Sequence, residues 1–406
     1  MTGTTGTSTA PPLPPLHMQR NGFDPTAELR EIRESTGVRV TKNVFGMDIY
    51  LVTRHDDVKA VLADHERFSN TRPPGFVGAG APVSDAEQAR AQAGNLLAND
   101  PPEHQRLRRM LTPEFTLRRI NRLQPRIVAI VEEHLDAMEK AGPPTDLVAA
   151  FALPIPSLVI CELLGVPYAD RGDFQRRSAR QLDLSLPIPE RLELARQGRD
   201  YMYSLVSAAR HTPNDDILGM LVREHGDELT DDELVGIAGL LLLAGHETTS
   251  NMLGLGVLAL LRHPTQLAAV RDDPAATAPA IEELLRWLSI VHSGIPRITT
   301  TDVEVAGVPI PKGQLVFVSL PSANRDPGFV DAPETLDIAR GAPGHLAFGH
   351  GVHHCLGAPL ARMEMRIALP ALLRRFPNLA LAEPFEDVQF RSFHFIYGLR
   401  SLLVGW

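Results

Sequence analysis

The chain has 406 residues, 44% of them hydrophobic and 22% charged, which fits a globular protein with a sizeable core. A formal net charge of −9 at pH 7 gives the surface as a whole no attraction for nucleic acid. The two cysteines, Cys161 and Cys355, lie far apart in sequence, which rules out a disulfide scaffold and leads us to expect a reducing compartment.

Residues 1–24 are rich in Thr, Gly and Pro, with neither a basic start nor an apolar core, so no signal peptide is expected. They read as a flexible tail before a domain spanning 25–406. Val38–Val40 and Asp48–Thr53 alternate like paired strands around Gly46, and Asp56–Leu62 reads as a helix. Residues 70–98, rich in Pro, Gly, Ala and Asn, read as a long loop of the kind that carries function. A helical pattern runs from Pro102 to Met138, with seven arginines between Arg106 and Arg126 against two acids, Glu103 and Glu114. Helices continue over 150–225, broken at Pro154, Pro156, Pro167 and Pro187, and Cys161 sits there in an apolar stretch that reads as core. Thr230-Asp231-Asp232-Glu233 resembles a capping signal and opens an apolar helix to about Arg262. His246 and Glu247 near its centre argue against a membrane span, and a cytoplasmic protein is expected. A helix over Ala278–Leu288 is followed by β-like Val303–Val305, a turn at Pro311-Lys312-Gly313 and β-like Leu315–Ser319. The last helix runs to about Arg375, before a β-rich tail. The fold class read from this order is mainly α with a smaller β portion, in one domain.

Four constellations carry chemistry. Phe348-Gly349-His350-Gly351-Val352-His353-His354-Cys355-Leu356-Gly357 surrounds a cysteine with three glycines and three histidines, just before a helical stretch. Backbone N–H groups at a helix N-terminus favour thiolate. The thiol is then a nucleophile, a zinc ligand or an axial iron ligand, or else a buried thiol in a glycine-rich turn. His345, His350, His353, His354 and Cys355 keep zinc among the readings. Ala244-Gly245-His246-Glu247-Thr248-Thr249 places a carboxylate and hydroxyls inside the apolar helix, where they form either a proton-handling site or a satisfied local kink. Glu283 and Arg286 are an i,i+3 charge pair, and His104 and Arg108 share one helix face.

The cysteine loop resembles the haem-binding loop F-G-x-G-x-H-x-C-x-G of the cytochrome P450 family at every fixed position. Ala244–Thr249 resembles that family's A-G-x-E/D-T-T signature, Glu283–Arg286 its E-x-x-R motif, and Asp100–Arg108 its D-P-P-E-H-x-x-x-R segment. The resemblance spans roughly residues 30–406 and implies a single domain enclosing haem b. It implies Cys355 as the thiolate ligand of iron, with Phe348 packed near the sulfur, Gly349 and Gly351 in the close-approaching loop, and amides around Gly357 bonded to the sulfur. His353, His104, Arg108 and Arg297 would hold the propionates. Ala244 and Gly245 would leave room for dioxygen, and Glu247 with Thr248 would deliver protons. Thr335 stands where a second arginine of the E-x-x-R network is expected, which leaves that place to another group or to water.

The implied reaction is insertion of one oxygen atom from O2 into an apolar organic molecule. This would be hydroxylation or epoxidation of a secondary metabolite, terpenoid, steroid or macrolide, by a monomer drawing electrons from a ferredoxin and its reductase. Alternatives are a peroxygenase using hydrogen peroxide, against which Glu247-Thr248 argues, and a non-catalytic haem or zinc-binding module. Family topology puts the substrate walls at 72–98, 165–190, Leu240–Ala244, Val291–Ile295 and Phe393–Ile396, with Arg72 as a possible polar contact. The arginines of 106–126, with Arg362 and Arg366, would form the basic face for an acidic ferredoxin.

Overall fold

A capping box starts the element around which the chain is organised. In a computed structural model describing residues 14–71 and 85–406, the Thr230 hydroxyl accepts from the Glu233 amide at 3.2 Å, and the Glu233 carboxylate accepts from the Thr230 amide at 2.8 Å. The sequence signal was therefore sufficient here, since both partners lie within one turn. In chain order the helices are α1 (Ala27–Glu34), α2 (His55–Ala63), α3 (Asp85–Gln92), α4 (Glu103–Leu111), α5 (Leu117–Ala141), α6 (Pro154–Leu164) and α7 (Arg171–Leu182). They continue with α8 (Ile188–His211), α9 (Ile217–His225), α10 (Asp231–Leu261), α11 (Pro264–Asp272), α12 (Pro274–Leu288), α13 (Leu320–Ala323) and α14 (Ala358–Arg375). Helix α10 packs against α6, α8, α12 and α14, which explains an apolar surface on nearly all of its sides. Among the described residues no single helix is long and apolar enough to cross a membrane.

The β portion lies to one side. Its main sheet has five strands in the order 38–42, 48–52, 315–318, 295–299 and 68–69. Leu315–Val318 runs parallel to Asp48–Val52 and antiparallel to Ile295–Thr299, so the strand carrying Arg297 is fixed from both edges. The mainly α architecture with a smaller β portion is as expected.

Several boundaries differ from the sequence reading. The segment from Pro14 to Asp24 is packed, not a tail: Met18 is fully buried, and Arg20 donates to the carbonyls of Leu288 and Ser289 at 2.7 and 2.6 Å, closing the C-terminus of α12. The remainder of the expected tail, residues 1–13, lies outside the described residues, as does Arg72. The long loop contains α3 and a 3-10 turn at Leu96–Ala98. Pro154 and Pro156 open α6 instead of breaking a helix, because the first turn needs no N–H donors. Asp273 caps α12 through the Ala275 amide, which starts that helix at Pro274 and not at Ala278. The expected β-rich tail is mostly irregular, with only Ala380–Leu381 and Leu403–Gly405 as strands.

Candidate functional site

The loop before α14 turns twice through left-handed backbone, at Gly349 and Gly351, both with φ of +71°. At Gly351 a side chain is impossible for a second reason: a Cβ would lie 2.5 Å from the Leu62 carbonyl. The turn is closed by the Cys355 amide donating to the Phe348 carbonyl at 2.9 Å. Phe348 lies beneath the Arg362 guanidinium, 4.5 Å from its ring centre. Burial pushes the Cys355 thiol up, while the amides of Gly357 and Ala358 and the Arg108 and Arg362 cations pull it down. Burial prevails. The helix N-terminus therefore does not by itself make a thiolate here, contrary to the sequence expectation; a coordinated cation would. The cysteine is exposed to solvent although protein surrounds it almost completely. Those two properties together describe a side chain on the wall of an internal cleft.

A second set of groups points to what such a cleft accepts. His104 of α4 and His353 of the cysteine loop lie 4.2 Å apart between ring centres. Both nitrogens of His104 and Nδ1 of His353 are buried without hydrogen-bond partners. Burial holds both imidazoles below their ordinary range, His353 down at about 3. Arg297, 4% exposed, spends one donor on the Pro296 carbonyl at 2.8 Å, and burial lowers it to about 10. Asp100 is the nearby acid, and its oxygens are taken by Ser69, Asn70 and Thr71. Uncommitted donors in a buried, partly cationic cluster suit carboxylates. Arg108 is the exception, since it donates to the His354 carbonyl at 2.7 Å. A soft sulfur ligand beside a carboxylate-binding cluster is the donor set that a haem with its two propionates needs.

Zinc does not fit. His345 is held by Glu282 at 3.1 Å and His353 is bonded to Asn70, and no group of three His, Cys, Asp or Glu among the described residues is arranged to hold a metal ion.

On α10, Ala244 is exposed and the Thr248 hydroxyl is solvent-accessible, while His246, Glu247 and Thr249 are buried. Spaced four apart, Ala244 and Thr248 share one face, which opens to space while the rest of the helix is wrapped. Thr248 donates to the Ala244 carbonyl at 2.8 Å. Gly245 does not share that face. A Cβ there would meet Ile160 of α6 at 2.8 Å, so its small size serves the contact between α10 and α6. Nor are Glu247 and Thr248 hydrogen-bonded to each other. The Glu247 carboxylate turns toward Arg391, 3.3 Å away, and toward His246. Burial raises its pKa, but His246, Arg391 and His394 hold it down at about 2.

The chain matches the cytochrome P450 family model over residues 12–181 and 200–389. It belongs to the cytochrome P450 family. It is 51% identical to cytochrome P450 FAS1 of Rhodococcoides fascians over 97% of this chain and 98% of that protein. It is 43% identical to pentalenic acid synthase of Streptomyces avermitilis over 99% of each. Among solved structures, it is similar to CYP105P1 in complex with filipin I, with a TM-score of 0.90 and 39% identity over 98% of this chain and 99% of that one. It is also similar to StaH from glycopeptide antibiotic A47934 biosynthesis, with a TM-score of 0.85 and 44% identity over 97% and 100%. As a cytochrome P450 monooxygenase it uses haem b, with O2 as co-substrate.

The P450 fold also supplies partners that sequence reasoning missed. Arg340, not residue 335, completes the E-x-x-R network: its Nη1 lies 2.9 Å from Glu283 Oε1, while Arg286 holds both oxygens of Glu283 at 2.7 and 2.8 Å. Thr335 contributes its backbone carbonyl, which accepts from Arg286 and Arg340, both at 3.2 Å. Arg391 lies 144 residues from Glu247, and no spacing signal links them. Of the expected substrate walls, 165–190 and Phe393–Ile396 are stitched together by backbone, the Leu184 amide donating to Phe393 and the Phe395 amide to Leu182. The His292 side chain joins Val291–Ile295 to them, its Nε2 donating to the His394 carbonyl at 2.8 Å. Residues 72–84 of the wall expected at 72–98 lie outside the described residues.

Proposed function

We propose that this P450 inserts one atom of O2 into an apolar organic substrate by hydroxylation or epoxidation, with the Cys355 thiolate as the protein group that would hold haem iron. The observation that carries this is Cys355 itself, a residue exposed to solvent yet surrounded by protein, with the amides of Gly357 and Ala358 bonded to its thiol. Haem, when bound, supplies the iron at which dioxygen is activated. The two amides stabilise negative charge on sulfur, and Phe348 and Arg362 hold the loop. His104, His353 and Arg297 would hold the propionates, and Arg108, which here donates to the His354 carbonyl, would join them only if that bond were given up.

Thr248 holds a hydroxyl at the open face of α10, and Glu247 is the acid behind it. General acid work requires the carboxylate to reach the cleft. Glu247 does so by leaving Arg391, so the ion pair is the resting position of the acid. Leu240, Ala244, Val291, Ile295 and Ile396 give the substrate region apolar walls, which exclude water and select an apolar scaffold such as a secondary metabolite, terpenoid, steroid or macrolide. That range agrees with relatives named for pentalenic acid synthesis and glycopeptide antibiotic biosynthesis.

Electrons come from a ferredoxin that docks on Arg109, Arg118 and Arg122. All three are exposed and without ion pairs among the described residues. Arg106, Arg119 and Arg126 are neutralised by Glu103 with Glu233, Glu114 and Glu162, which narrows the basic face expected from sequence. The protein works as a cytoplasmic monomer.

The test supplies purified holoenzyme with ferredoxin, reductase, NADPH and a panel of terpenoid, steroid and macrolide scaffolds under isotopically labelled O2. One labelled oxygen in the product supports the assignment. Turnover with hydrogen peroxide alone, and none with O2 and electrons, would replace it with a peroxygenase.

A further inference from the structure

His246 and Glu247 are sealed in the core, with side chains 0% and 1% exposed. His246 Nδ1 lies 2.9 Å from the Leu242 carbonyl oxygen. A carbonyl oxygen only accepts, so Nδ1 carries a hydrogen. In a neutral imidazole of that tautomer, Nε2 presents a bare lone pair. Nε2 has no hydrogen-bond partner, nor has Glu247 Oε1, and the two atoms lie 3.4 Å apart. Two dehydrated acceptors would then be in contact, each without a donor, which is costly in a protein interior.

Water does not relieve this conflict. A separation of 3.4 Å leaves no room for a molecule between the two atoms. A cavity of about 10 Å³, enough for one water, does adjoin Glu247, lined by Ser250, Asn251, Gly254 and Arg391 among others, but His246 is not part of its wall. From α7, Phe174 closes over the imidazole edge-on at 4.5 Å. The titratable or charged groups acting on Glu247 are His246 itself, Arg391 and His394. His394 is occupied by the backbone of Ile396 and Ala179. One extra proton, on Nε2 or on Oε1, turns the conflict into a donor–acceptor pair.

We propose that His246 and Glu247 share a proton between Nε2 and Oε1, and that His246 is a positioning residue that loads the acid for each turnover. The inference rests on the placement of Glu247 in the proton relay. With the proton on Oε1, Glu247 carries it to the cleft and His246 stays neutral, its Nδ1–H still on Leu242. Glu247 returns as a carboxylate. A proton taken up from bulk solvent by way of the cavity beside Arg391 then restores the pair, so that the protein gains one proton for each one it delivers to the cleft. Arg391, 17% exposed, connects that cavity to solvent and holds the returning carboxylate.

The test uses the holoenzyme in its diamagnetic ferrous, carbon monoxide-bound form, labelled with 15N-histidine. The His246 signal is assigned by its loss in His246→Phe. Either a protonated Nε2, or a bare Nε2 together with a carboxylic-acid infrared band that disappears in Glu247→Gln, is the expected result. A bare Nε2 with no such band would overturn the proposal. In turnover, His246→Phe is expected to lower product formed per NADPH several-fold and to raise the solvent isotope effect, with the substrate-induced spectral shift unchanged. His246→Gln, which keeps a polar side chain but cannot hold the proton, is expected to behave alike and replaces the Phe variant if that one fails to fold. Parent values in a folded His246 variant while Glu247→Gln is slowed would refute the role of His246 alone. Parent values in Glu247→Gln would remove the relay itself.

Discussion

Arg340 and Arg286 share a single carboxylate: Glu283, fully buried, is bonded by Arg286 through both oxygens and by Arg340 through Oε1 at 2.9 Å. Arg286 also reaches the carbonyls of Asn324, Pro333 and Thr335, which ties α12 to the segment leading into the cysteine loop. Glu283→Gln leaves two guanidinium groups without their counter-ion. A loss of about 3–5 kcal/mol is expected from breaking such a buried network. Denaturant unfolding of the holoenzyme measures it, and Thr335→Val, which keeps the carbonyl, is expected to cost almost nothing.

The sequence made some of this legible and concealed the rest for a physical reason. The cap at Thr230, the helix ending at Arg375 and the cysteine loop are local: their determinants lie within a few residues of one another. Arg340 was concealed because the loop path, not the spacing, decides which arginine returns to Glu283. Arg391 beside Glu247 and Arg20 under α12 are likewise contacts between distant segments. Arg20 sits in a Pro-rich stretch that reads as a tail because its partners lie near residue 288, and nothing local signals the burial of Met18. Gly245 carried a family meaning, space for dioxygen, but its missing side chain is directed at Ile160.

That last contact is testable. Gly245→Ala inserts a methyl where 2.8 Å is available, and overpacking of this kind costs about 1–3 kcal/mol, offset in part by the better helix propensity of alanine. Ile160→Ala removes the opposing atoms. A double-mutant cycle is expected to show favourable coupling, with the double variant more stable than the sum of the singles. Additive effects would mean that the helices do not meet at this pair.

Acid stability depends on Glu282. Burial raises its carboxyl, but bonds from His345 and Arg362 hold it at about 2, below an unfolded value near 4.5. A depressed carboxylate stabilises the fold above its unfolded pKa, and that contribution disappears as pH falls from about 4.5 toward 2. Glu282→Gln is expected to lower stability at neutral pH and to flatten the loss over that acid window. Unfolding midpoints measured from pH 7 to pH 3 check both effects.

Electron supply is expected to be salt-dependent. Arg109→Glu, Arg118→Glu and Arg122→Glu should each slow reduction by ferredoxin, and added salt should slow the parent, because exposed charges act mainly on encounter. Reduction by dithionite should not change. Stopped-flow reduction at two ionic strengths measures this, and unchanged ferredoxin rates would return these arginines to ordinary surface.

The assignment of Cys355 as the thiolate that holds haem iron is tested most directly by the carbon monoxide spectrum of the reduced holoenzyme, compared between the parent and Cys355→Ser. The parent is expected to show the long-wavelength Soret band of thiolate ligation, and the serine variant to lose or displace it, because an alkoxide is a harder and far less accessible ligand. A Cys355→Ser variant that binds haem and keeps the parent band would contradict the account and place the axial ligand elsewhere.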